Sequence, residues 1–140
     1  MTRGWITFDG KEIADFSNIE WLMQHGNLAN QIRHINHTPD FANPAQKTGY
    51  YLAAEEAKVL LQKEGVFSRD QFYDSLEEYT RLSIDAALHS QNQIIEGIAM
   101  LDRRFGVRRL KALKLPETAV PFVRACYWIR SVAEDIQVAE

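Results

Sequence analysis

The chain has 140 residues, 46% of them hydrophobic and 11% aromatic, and a formal net charge of −3. That composition excludes an intrinsically disordered chain, which lacks the apolar and aromatic residues needed to offset the entropy of ordering. It also excludes a polycation, so any affinity for nucleic acid must come from a local patch.

The first element read from the N-terminus is a β-hairpin over residues 4–16. Trp5 and Thr7 alternate with Ile6 and Phe8, and Asp9-Gly10 follows. Asp-Gly favours a type I′ turn because both central positions need positive φ. A lone hairpin is marginal in water, so it has to pack on something. Trp5, Phe8 and Phe16 are the expected contacts.

Ser17 with Glu20 has the spacing of a capping box, and Ile19, Leu22, Met23, Ala29, Ile32 and Ile35 recur at helical spacing to about Asn36. Gly26 costs about 1 kcal/mol relative to alanine inside such a helix, which suggests a close approach or a break there. Residues 37–49, with Pro39 and Pro44, read as a loop. A second helix is expected from Tyr50 to Glu64, with Tyr51, Ala54, Ala57, Val59, Leu60 and Leu61 on its apolar side and Gly65 at its end.

Ser68 and Gln71 open the next helical pattern with another capping box. Phe72, Leu76, Tyr79, Ser83, Ala86, Ile94, Ile98, Leu101 and Phe105 stay in phase as far as Gly106. One long helix or two nearly collinear ones are expected over residues 69–105, weakest at Ser90–Gln93. Val107–Leu115 reads as a short helix or turn. The last helix begins near Pro121, with Phe122, Ala125, Cys126, Ile129, Val132, Ala133 and Ile136 as its apolar stripe.

These elements predict a mainly α protein, an antiparallel bundle of four to six helices with a short N-terminal β-hairpin packed on it. No repeat or linker divides the chain, so residues 1–140 are expected to form a single helical domain. Charged Asp9 arrives before any apolar run, unlike a signal peptide. Every long helical pattern carries charges, so no membrane span is expected. A cytoplasmic location follows by elimination.

The strongest charge asymmetry lies at Asp102–Lys114. Six basic residues and one acid give that segment a charge of +5, against −8 for the remainder. Guanidinium forks match carboxylate and phosphate. Arg103, Arg104, Arg108, Arg109 and Lys111 therefore form a candidate surface for an acidic protein partner. Arg124, Trp128 and Arg130 on the last helix extend it with residue types that dominate binding hot spots. Self-association through the same surface is equally compatible, and contact with a nucleic-acid backbone is the weaker alternative. The same basic residues also suit helix C-termini and intramolecular pairing with the chain's own acids.

The second candidate is a metal-binding or acid–base enzyme site using His34, His37 and His89. His34 and His37 share a helix face at i, i+3 spacing, and Asp40 lies close behind. Against it, Pro39 unwinds the chain there. His89, Gln93 and Glu96 fall on one helical face that is expected to be solvated, and would hold perturbed acid–base groups only if turned inward. The single cysteine, Cys126, excludes an internal disulfide and a cysteine-based zinc site, and its place on an apolar stripe marks an inert buried thiol. The chain lacks the Gly-x-Ser-x-Gly elbow of nucleophilic catalysis, and without a P-loop or a Gly-x-Gly-x-x-Gly turn nucleotide cofactors are unsupported; the sequence names no other cofactor.

Overall fold

The computed structural model describes residues 4–137. The chain is mainly helical, and the described residues form seven helices and an N-terminal two-stranded antiparallel hairpin packed against them. It divides into two compact units. One holds residues up to Trp5 and from Asp15 to Arg69, and the other holds Ile6–Ala14 and the chain from Asp70 onward.

The hairpin pairs β1 (Trp5–Phe8) with β2 (Lys11–Asp15). Asp9 and Gly10 have φ of 48° and 76°, the left-handed pair that a type I′ turn requires. Phe8 meets Trp128 edge-to-face at 6.2 Å, which ties the hairpin to the last helix. Phe16 is buried against Phe67. Trp5 is 52% exposed.

In the first unit, α1 (Asn18–Ile35) lies against α2 (Lys47–Lys63). His25 Nε2 donates to the Ala54 carbonyl and Arg33 Nε to the Tyr50 carbonyl, an order that makes the two helices antiparallel. Their seam is built from Ala29, Ile32, Ala53 and Ala57, flanked by Leu28 and Leu60. Small side chains at the crossing let the backbones approach. The seam therefore uses only part of the apolar stripe read from the sequence. Ile19, Leu22, Met23 and Ile35 on α1, and Tyr51 and Val59 on α2, are exposed. The helix runs unbroken through Gly26, whose absent Cβ would meet nothing within 4 Å, so Gly26 marks neither a break nor a close approach. Ser17 occupies the N-cap position without a side-chain capping bond, and Glu20 instead accepts from Gln24.

Both helices of this pair end in Schellman motifs. Gly65 (φ 81°) donates to Gln62 and Val66 donates to Leu61, closing α2. At the end of α1, His37 takes the glycine position with φ 57°; it donates to His34, and Thr38 donates to Arg33.

The second unit corrects the reading of residues 69–105. Three helices stand there, α3 (Arg69–Tyr79), α4 (Ile84–Leu88) and α5 (Gln93–Leu101). Ser83, which continued the helical phase, and Asn92, in the stretch expected to be weakest, are both caps. Ser83 Oγ accepts from Ala86 N, and Asn92 Oδ1 accepts from Ile94 N and Ile95 N. Short polar side chains satisfy orphan N–H groups better than they support a helix interior, and this overrides the apolar periodicity. The chain continues through α6 (Val107–Ala112) and α7 (Pro121–Ala133).

At the centre of this unit α5 packs on α7. Ile94, Ile95, Met100, Leu110, Val123 and Cys126 are fully buried. A Cβ on Gly97 would lie 2.7 Å from the Phe122 ring, so only glycine allows the two helices to meet at that point. The buried side of α7 is Phe122, Val123, Cys126, Arg130 and Ser131. It is turned from the stripe expected in the sequence, and Val132 and Ala133 face outward. A third Schellman motif ends α7, with Asp135 at φ 52°.

Candidate interaction site

The basic segment begins with a turn that is built from the inside. Asp102 accepts from its own near neighbour Arg104, at the backbone N (2.8 Å), at Nε (3.0 Å) and at a terminal guanidinium nitrogen (2.8 Å). Tyr79 donates its hydroxyl to the same carboxylate. The Arg104 hydrogen bonds hold the Asp102 carboxyl below the usual carboxylate range, and the same contacts raise Arg104. Burial, then the Asp102 contact, pushes the Tyr79 phenol up.

Arg130 completes the turn from beneath. It is 7% exposed, and its guanidinium donates to the Asp102 carbonyl (2.8 Å), the Phe105 carbonyl (3.0 Å) and the Glu134 carboxylate (2.8 Å). Arg130 was expected at a partner surface, but it is an internal brace. A buried guanidinium is tolerated only when its donors are satisfied, and two backbone carbonyls and a carboxylate do that here.

Arg109 and Arg124 are exposed, and each is engaged within the chain. Arg109 pairs with Asp85 at 2.7 Å. Arg124 donates to the carbonyls of Ala119 (2.9 Å), Pro116 (3.2 Å) and Glu117, which fixes the loop leading into α7. Arg103, Arg108, Lys111 and Trp128 are exposed.

Two clefts open on either side of Arg124 and Trp128. The first, of about 530 Å³, lies among Lys111, Leu113, Lys114, Leu115, Tyr127 and Ile136. Among the described residues no carboxylate lines it, and neither Lys111 nor Lys114 has an ion-pair partner. The second, of about 690 Å³, lies between the hairpin and α7, among Phe8, Lys11, Ile13 and Ala125, with Asp9 and Glu12 at its edge. Its wall is largely apolar, and its four charged residues, Asp9, Lys11, Glu12 and Arg124, are of both signs. Trp128 is 52% exposed and borders both clefts.

A family model matches residues 1–131. The chain belongs to the SF0329 protein family. No curated protein and no solved structure matches it.

The histidines are placed differently from the expectation of a shared site. His34 lies in α1, His37 forms the left-handed residue that ends it, and His89 belongs to the other unit, where it caps α4. His89 Nδ1 donates to the Asp85 carbonyl. Among the described residues no three His, Cys, Asp or Glu side chains form a group able to hold a metal ion. Glu96 is half-buried, and burial raises its pKa. Cys126 is fully buried and its thiol is pushed up to about 12, the inert state expected from its apolar surroundings.

Sequence reading located the α7 aromatic residues and Lys111 but missed the apolar walls beside them. Leu113, Leu115 and Ile136 looked like turn or core residues, and Ile13 like one half of a hairpin. Spacing carried no sign that these distant segments meet at Trp128. Lys114 was visible as part of the charge cluster, and its local density was the one available signal.

Proposed function

We propose that this protein is a non-enzymatic interaction module that docks an acidic segment of a protein partner in the cleft between α6 and the C-terminal half of α7. The single observation that carries this reading is the composition of that cleft. Among the described residues, Lys111 and Lys114 stand without ion-pair partners over the apolar walls of Leu113, Leu115 and Ile136, and no carboxylate lines the cleft to neutralise them. Aromatic Trp128 and Tyr127 supply contact area with few rotamers to lose.

Electrostatic complementarity sets the choice of partner and the encounter rate, while the apolar wall supplies the burial that makes the complex last. Arg124 contributes shape, because its guanidinium is already held by three carbonyls. The cleft volume lies within the range of sites that enclose a few side chains.

Fluorescence anisotropy with a labelled, glutamate-rich dodecapeptide tests the reading. Binding to the unmodified protein, and at least a tenfold loss with Lys111→Glu/Lys114→Glu, is the expected result. No binding, or binding indifferent to the charge reversal, overturns it. Preference for a DNA duplex of equal length, with affinity falling steeply as salt is added, replaces it with a nucleic-acid interface.

A further inference from the structure

The acidic-segment reading concerns the lysine-rimmed cleft and leaves the larger cleft beside the hairpin without a role. That second cleft has a different chemistry. Phe8, Ile13, Ala125 and Trp128 form an apolar wall, and its charged residues are of both signs, Asp9 and Glu12 against Lys11 and Arg124. A site with balanced charge has no general preference for an acidic ligand. Its recognition must come from apolar burial, which scales with the area removed from water.

The two clefts are also neighbours by construction. Arg124 and Trp128 are walls of both. These residues lie four apart on α7, one turn of helix, and so stand one above the other on the same face. The ridge they make is held from both sides. Three carbonyls of the α7 entry loop fix Arg124, and the Phe8 and Trp128 rings meet edge-to-face with centroids 6.2 Å apart. A ligand in one cleft therefore touches the side chains that border the other.

We infer that the hairpin cleft is an apolar subsite of the same interface, and that the partner is a linear peptide carrying a large apolar anchor next to its acidic run. The anchor enters beside Ile13 and Ala125, the chain crosses Trp128, and the acidic residues reach Lys111 and Lys114. The inference rests on the acidic-partner reading and narrows it from an acidic surface to an anchored linear segment. Apolar and charged contacts divided between two adjoining pockets give selectivity that neither gives alone, because a ligand lacking the anchor leaves one pocket filled only with water.

Two labelled dodecapeptides of the same net charge distinguish the two claims, one glutamate-rich with a single central Leu-Phe pair and one with Ala-Ala in its place. Anisotropy titrations are run with the intact protein, with Ala125→Leu, which fills the hairpin cleft with an apolar side chain on a helix, and with Lys111→Glu/Lys114→Glu. Circular dichroism confirms that each variant is folded, and Ile13→Ser serves as the cleft variant if Ala125→Leu is not. The anchored peptide should bind the intact protein at least tenfold more tightly than the Ala-Ala peptide. Filling the cleft should erase that difference while leaving the Ala-Ala peptide unaffected. Equal binding of both peptides, or an anchor advantage that survives filling of the cleft, overturns the subsite and leaves the acidic docking reading standing. Binding of neither peptide overturns both.

Discussion

The helix pair of the first unit and the α5–α7 core of the second solve the same packing problem with different means. The first closes over Ala29, Ile32, Ala53 and Ala57 and leaves Leu22, Met23, Ile35, Tyr51 and Leu52 exposed. The second encloses Ile94, Ile95, Met100, Leu110, Val123 and Cys126 completely and satisfies a buried arginine as well. Both segments looked alike as periodic apolar patterns. The difference lies in side-chain size at the contact: alanines bring helix axes close but bury little area, whereas Ile, Met and Leu fill a volume.

Substitutions sharpen that contrast. Leu110→Ala removes a fully buried side chain and should cost about 3 kcal/mol in chemical denaturation, whereas exposed Leu22→Ala should cost under about 0.5 kcal/mol. Similar losses at the two positions would show that the first unit is covered as thoroughly as the second. Arg130→Ala leaves the Asp102 and Phe105 carbonyls without their donor and should cost roughly 3 kcal/mol by the same measurement. Retained stability there would remove the brace from the account of the Asp102 turn.

Smaller effects follow from backbone and titration. Gly97→Ala places a Cβ against Phe122 and should destabilise by about 1–2 kcal/mol, despite the better helix propensity of alanine. Gly26→Ala meets open space and should stabilise by about 0.5–1 kcal/mol, so the two glycines should respond with opposite signs. His37→Gly relieves a left-handed residue and should add about 1 kcal/mol to the first unit; no gain in thermal unfolding would mean that the His37 side chain compensates its backbone.

The pH dependence has a definite sign. Asp102 has a carboxyl pKa lower in the folded chain than in the unfolded one. Its contribution to stability is therefore complete above the ordinary carboxylate range and is lost as pH falls from about 4 toward the lower folded value. Asp102→Asn should flatten that part of the acid unfolding curve. A curve unchanged in shape would show that Arg104 and Tyr79 do not favour the ionised carboxyl.

The fold class and the hairpin turn were legible because they rest on local rules. Asp9-Gly10 demands positive φ, Gly65 ends α2, and Pro121 opens α7. The long run over residues 69–105 misled at Ser83 for an equally local reason: Ser83 fits the helical phase, and only its side-chain bond to Ala86 reveals it as a cap, whereas the break at Asn92 falls in the Ser90–Gln93 stretch expected to be weakest. Of the proposed site, the basic cluster and Trp128 were visible in the chain. That Arg130 alone among these arginines is buried as an internal brace was not, because it depends on which carbonyls lie within reach.

Composition, periodicity and turn residues determined by themselves a mainly helical chain with one hairpin and a concentrated basic segment, since each of these reflects interactions among residues close in sequence. Tertiary structure alone decided that Arg130 faces inward, that Gly97 is where two helices meet, and that Ile13 and Ile136 both come to line clefts at Trp128. The physical reason is that burial and hydrogen-bond satisfaction are set by neighbours distant along the chain, and a period of 3.6 specifies a face without specifying what will cover it.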